Sequence, residues 1–150
     1  MDKYYLIIED ENLETGLSKF LSENLNEQNE VIKIEDLSKF ESLEGFDIII
    51  CAIGSSIYEA SKIKGIRKFF ISPVINKEKY FNVTNIMLTD ILDTDEKITI
   101  LNGIDNEFCD ILDVVELTQN KFVDYLGLED MGYKIDDFYN RMFIIEELKK

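Results

Sequence analysis

The chain has 150 residues, the size of one domain, and 45% of them are hydrophobic, which excludes a disordered acidic tail. One proline and seven glycines exclude collagen-like and low-complexity classes, and the absence of any histidine removes the usual general base and the commonest metal ligand. Thirty-one acids stand against 16 bases, for a formal net charge of −15. The charge sits at the two ends: residues 1–47 carry 13 acids and 4 bases, residues 48–104 carry 6 and 7, and residues 105–150 carry 12 and 5. A field of that sign repels nucleic acid and anionic lipid, and it speeds encounter with a basic protein.

Taken in chain order, the short apolar run Tyr4–Ile8 predicts a buried strand, closed by Glu9, Asp10 and Glu11. Leu13, Leu17, Phe20, Leu21 and Leu25 recur at steps of three and four, which predicts an amphipathic helix of about 13 residues. Val31–Ile34 reads as a second strand, and Leu37, Phe40 and Leu43 as a short helix or turn ended by Gly45. Phe46–Ile53 is the most apolar stretch and predicts a central strand, left at Gly54-Ser55-Ser56 for a helix holding Ile57, Tyr58, Ala60 and Ile63. Arg67–Ile71 reads as a fourth strand ending in Ser72-Pro73. Residues 76–96 read as helix or loop, and Lys97–Leu101 as a fifth strand with Asn102-Gly103 as its turn. Ile111–Leu117 is helical by spacing, Lys121–Leu126 a sixth strand, and Phe138, Met142, Ile145 and Leu148 mark a last helix. Strands alternating with helices predict an α/β fold, a parallel, doubly wound sheet within one domain spanning residues 1–150.

Few local patterns carry chemistry. Cys51 and Cys109 lie 58 positions apart in apolar surroundings and read as buried free thiols. No glycine-rich phosphate loop occurs. The acids at Asp105, Glu107, Asp110 and Asp113 lack the glycine and closing glutamate of a calcium loop, so no metal and no cofactor is implied. Lys62, Lys64, Arg67 and Lys68 read as a solvated helix end, and Tyr4, Tyr5, Phe69 and Phe70 as core. No apolar run approaches 18 residues and no basic segment precedes an apolar one at Met1, so neither a membrane span nor a signal peptide is expected, and the cytoplasm is the expected compartment.

The stretch Phe46-Asp-Ile-Ile-Ile-Cys-Ala-Ile-Gly-Ser-Ser-Ile-Tyr-Glu-Ala-Ser61 resembles the nucleophile elbow of the α/β-hydrolase fold, most closely that of a small esterase-like group. Ile66–Ile75, with its Ser-Pro ending, Ile98–Phe108, Phe122–Lys134 and the last helix resemble that group's later segments in the right order. The resemblance implies a reduced three-layer fold of that kind. It places the family's acid at Asn106 or neighbouring Asp105, and its histidine near Met131. The elbow lacks its closing glycine, with Tyr58 following Gly54-Ser55-Ser56-Ile57, and the first strand ends in Glu9-Asp10, two carboxylates that would repel an oxyanion. A serine hydroxyl without a positioned base is a poor nucleophile. A Ser–Lys arrangement with Lys62 or Lys64 lies beyond reach of Ser56, and Ser55-Ser56 reads simply as a helix N-cap. A second resemblance, of Ile7-Ile-Glu-Asp-Glu11 to the start of a response-regulator receiver, lacks the phosphoacceptor, since Cys51 stands in its place, and also the lysine after the fifth strand.

The expectation is therefore a non-catalytic acidic binding protein with vestigial elbow residues Gly54, Ser55 and Ser56. Its partner is expected to be a basic protein, as for an immunity protein against a nuclease-type toxin, and neither nucleic acid nor a membrane. Glu9, Asp10, Glu11, Asp105, Glu107, Asp110 and Asp113 are the expected contact residues, gathered on one sheet edge. The alternative is a divergent serine hydrolase or esterase using Ser56, or a receiver-like domain lacking its phosphoacceptor.

Overall fold

A computed structural model of the chain describes residues 1–10, 14–75 and 94–150. Its elements in order are β1 (Lys3–Ile8), α1 (Leu17–Asn24), β2 (Gln28–Ile32), a 3-10 helix (Ile34–Ser42) and β3 (Asp47–Ile53). A 3-10 turn (Gly54–Ser56) then runs into α2 (Ile57–Ser61), followed by β4 (Arg67–Ile71), β5 (Ile98–Gly103), α3 (Ile111–Leu117), β6 (Val123–Leu128) and α4 (Phe138–Lys149). Leu13, Glu11 and the stretch 76–93, which includes Ile86, Leu88, Ile91 and Leu92, lie outside the described residues.

The six strands form one sheet in the order β2-β1-β3-β4-β5-β6, and every neighbouring pair is parallel. β1 and β3 are interior and apolar on both faces, as a strand covered by helices on each side must be. Leu6, Ile8, Ile50, Ala52 and Phe70 face the layer holding the 3-10 helix, α2 and α3. Tyr5, Ile7, Ile49, Cys51 and Phe69 face α1 and α4. The architecture is three-layered and doubly wound.

Several boundaries move from their expected places. α1 begins only at Leu17, because Gly16 ahead of it is left-handed, with φ +72°, and cannot continue a helix backwards. β2 stops at Ile32, where its ladder with β1 ends at the Ile8 pairing, so Ile34 enters the 3-10 helix instead of the strand. Asn102 and Gly103 belong to β5 because β6 runs on to Leu128 and pairs with them through Gly127 and Leu128. Lys68 is not on a solvated helix end. It is buried in β4, with its ammonium bonded to Glu96 at 2.6 Å.

Candidate functional site

β1 leads by way of α1 to β2 on one side of it, and the chain then returns to lay β3 on the other side. That reversal makes the C-terminal ends of β1 and β3 a topological switch point, the place where open parallel sheets bind ligands. Two segments meet there: Glu9-Asp10 after β1, and Gly54-Ser55-Ser56 after β3.

The sharp strand-to-helix turn falls on Gly54, with φ +66°. A β-carbon at this position would overlap the carboxylate oxygen Oδ2 of Asp10 and the hydroxyl of Tyr133, so glycine is required by conformation and by space. Gly54 therefore stands where a nucleophile elbow places its strained residue. Counted from Gly54, Ala52 and Ser56 are the small residues two positions to either side.

Asp10 is 3% exposed and is the centre of the cluster. Its Oδ2 accepts from the Ser55 backbone N–H at 2.8 Å and from the Tyr133 hydroxyl at 2.7 Å, while its Oδ1 accepts from Ser55 Oγ at 3.2 Å. Glu9 turns the other way, accepting from Thr15 Oγ1 at 2.7 Å and from the Ser18 N–H at 3.1 Å, and so anchors the start of α1. One carboxylate faces the elbow, not the two expected.

Ser56 does not serve as the reactive hydroxyl. It is fully buried, and its Oγ donates to the carbonyl of Ile53 at 2.7 Å and lies 3.3 Å from that of Ile8. The same bonds take it out of the N-cap role, for no side chain caps α2. Ser55 is half-buried, and its hydroxyl faces Asp10. Lys62 pairs with Glu59 at 2.9 Å on the exposed side of α2, away from both serines.

The position assigned to the family's acid is a structural amide. Asn106 is 2% exposed, donates to the Pro73 carbonyl and to Asn102 Oδ1, and accepts from the Phe108 N–H. Asp105 is exposed, and its N–H donates to the Met131 carbonyl at 2.9 Å, packing the loop after β5 against the loop after β6. That packing is why Gly103 has no room for a β-carbon, which would overlap the Met131 carbonyl. Met131, assigned to the histidine position, carries no hydrogen-bonding side chain. Two residues on, Tyr133 supplies a hydroxyl to the site, with its ring edge-on to Phe108 at 5.1 Å between centroids. Ser72, at the end of β4, is fully buried with φ +48°, and its hydroxyl has no partner among the described residues.

Some of the acids expected to contact a partner also make bonds within the fold. Asp110 caps α3 by accepting from the Leu112 and Asp113 N–H groups, and Asp113 returns the bond to the Asp110 N–H. Burial raises the Asp113 carboxyl above its ordinary value. Asp105 and Glu107 remain exposed, and Glu11 is outside the described residues. Among the described residues no group of three or more acids or thiols could hold a metal ion, and no helix is long and apolar enough to cross a membrane.

No protein-family model matches the sequence, and no curated protein is similar to it in sequence. Solved structures share its fold. N-formylmaleamic acid deformylase from Pseudomonas putida S16 superimposes with a TM-score of 0.72 at 10% identity, over 97% of this chain and 91% of its own. The esterase domain of a Rhodothermus marinus protein gives 0.70 at 10% identity, over 98% and 84%. A candidate hydrolase of the α/β superfamily from Xanthomonas campestris pv. campestris gives 0.66 at 15% identity, over 99% of both chains. The chain thus shares the three-layer fold of α/β-hydrolase superfamily proteins, as the elbow resemblance implied. These neighbours, which are hydrolases and esterases by name, run against the expectation of a non-catalytic acidic binder and immunity protein and favour its hydrolase alternative.

Proposed function

We propose that the protein is a divergent hydrolase of the α/β-hydrolase fold, acting at the switch point between β1 and β3 with Ser55, Asp10 and Tyr133 as its reactive group. The observation that carries this reading is the approach of Ser55 Oγ to within 3.2 Å of Asp10 Oδ1, with Tyr133 bonded to the other carboxylate oxygen. A nucleophile beside a base that a third group orients is the general form of covalent hydrolytic catalysis. The usual base is replaced, since the chain has no histidine.

In the acylation step Ser55 Oγ bonds to the acyl carbon and its proton passes to Asp10 Oδ1. The bond to the leaving group breaks, and the leaving oxygen takes that proton. Water then reverses the sequence, giving a proton to Asp10 as its oxygen bonds to the acyl carbon, and that proton passes to Ser55 Oγ as the Oγ–acyl bond breaks. Tyr133 and the Ser55 N–H hold Oδ2, and Oδ1 is the oxygen that faces Ser55 Oγ. A carboxylate is a weaker base than imidazole, with reference pKa values of about 3.9 and 6.5. The favoured substrates are therefore esters whose leaving group departs easily, and turnover is slow beside that of a histidine triad.

The test is hydrolysis of 4-nitrophenyl acetate. Ser55→Ala and Asp10→Asn should each lower kcat/KM by roughly 100-fold, the lower range for a lost general-base contribution. A fluorophosphonate probe should mark Ser55. Full activity in Ser55→Ala would overturn the reading.

A further inference from the structure

The opposite end of the sheet holds a second feature that the hydrolytic reading does not use. At the start of β4, β5 and β6, on the face shared with α4, a cavity of about 580 Å³ is lined by Arg67, Lys97, Thr99, Asp124, Leu126 and Lys150, among others. The strand register puts Phe69, Thr99 and Asp124 side by side on that face, with Arg67 and Lys97 one step toward the strand starts. A volume of this size suits a small organic ligand.

The charges do not cancel. Lys97 pairs with Asp124 at 3.5 Å, and Lys150 with Glu147 at 2.8 Å. Arg67 has no carboxylate within 4.0 Å among the described residues. The side chains of the lining thus carry three positive charges against two negative ones, in a protein whose net charge is −15. Burial pulls the guanidinium below its ordinary value, against the attraction of Asp124.

The guanidinium is held in a fixed pose. It lies 4.1 Å above the Phe69 ring. Its Nη1 donates to the carbonyls of Lys68 and Lys97, and its Nη2 to Thr99 Oγ1. Those bonds use three of its five N–H donors. The two that remain, on Nε and Nη2, have no acceptor among the described residues. A pair of this kind is the fork that grips a carboxylate with two parallel bonds.

We propose that this cavity is a binding site for a small organic carboxylate with an apolar body, its carboxylate on the Nε and Nη2 fork of Arg67 and its body on Leu126. The site stands at the strand starts, across the sheet from Asp10 and Ser55, and does not depend on the hydrolytic reading. The apolar floor separates this ligand class from inorganic phosphate, which would use the charge alone.

The experiment is a titration of the whole chain with sodium benzoate at constant ionic strength, followed by backbone amide shifts. Benzoate should bind in the millimolar range or tighter and shift the amides of Lys97–Thr99 and Asp124–Leu126, leaving Ser55 unmoved. Arg67→Lys keeps the charge and removes the fork, and should weaken binding by roughly tenfold. Leu126→Glu sets a like charge on a half-buried floor position, and should abolish binding while the fold is retained. Inorganic phosphate should bind at least severalfold more weakly than benzoate. The proposal fails if benzoate shifts none of these amides at about 20 mM, if both variants bind it like the parent chain, or if phosphate binds as well.

Discussion

Gly54 and Asp10 share one small volume, and that sharing is the sharpest feature at the residue scale. A side chain at position 54 must be left-handed and must displace both the Asp10 carboxylate and the Tyr133 hydroxyl. Gly54→Ala should therefore cost about 2–3 kcal/mol of stability, combining the left-handed penalty with a clash that a buried carboxylate can relieve only by losing bonds. Asp10→Gly on that background should restore part of the loss. Denaturant melts of the two single variants and the double variant check this, because contacting residues give a coupling energy that distant residues do not. Additive effects would show that Asp10 does not occupy the space. Gly54-Ser55-Ser56 stood out in the sequence as a turn. Nothing local marked Tyr133, which reaches Asp10 from 123 residues away. Ser56 attracted attention by its place in the motif, yet the carbonyls of Ile53 and Ile8 claim its hydroxyl, and no pattern of neighbours announces that.

At the scale of elements, β4 starts with a buried ion pair. Lys68 is 1% exposed, donates to Glu96 at 2.6 Å and also to the Ile66 carbonyl, while the Gly65 N–H donates to Glu96. Burial pulls the Lys68 ammonium below its ordinary value despite its partner. Burial works to raise the Glu96 carboxyl, but the bonds from Lys68 and Gly65 outweigh it and leave the group below its ordinary value. A carboxyl lowered by folding adds stability that is present above its unfolded pKa and is lost as pH falls through the folded value. The pair's contribution should therefore fade under acid, below about pH 4. Glu96→Gln leaves a buried ammonium without a counter-charge, and should cost about 3 kcal/mol at pH 7. Lys68→Met together with Glu96→Gln should fall within about 1 kcal/mol of the parent chain. Thermal melts at pH 7 and pH 3 test both statements. A Glu96→Gln loss that is the same at both pH values would overturn the assignment. The elements themselves were legible because apolar runs and helical spacing alternate along the chain. Their ends were less so: β5 keeps Asn102 and Gly103 because β6, not the local Asn-Gly, decides where the ladder stops.

Across the whole molecule the two sheet faces carry one reporter each. Cys51 belongs to the core under α1 and α4, and Cys109 to the core under the 3-10 helix, α2 and α3. Both are free and buried, and burial pushes each thiol up to about 12. Only the thiolate attacks a disulfide reagent, so near pH 8 the native chain should resist labelling at both positions. Reaction then depends on opening the structure. A sheet buried on both faces through the same interior strands has no means of exposing one core while keeping the other, since β1 and β3 supply Leu6, Ile8, Ile50 and Ala52 to one and Tyr5, Ile7, Ile49 and Cys51 to the other. The two thiols should therefore react with the same opening free energy, equal to that of global unfolding. Single-cysteine chains, Cys51→Ala and Cys109→Ala, labelled at several urea concentrations, give the two values after each is compared with its own melt. Like charges spread over a net −15 repel one another most at low salt, so raising the salt from about 0.01 M to 0.5 M should slow both reactions together. A Cys109 that reacts much faster than its chain unfolds would mean that the α3 side opens on its own, and the sheet would then be two cooperative units, not one.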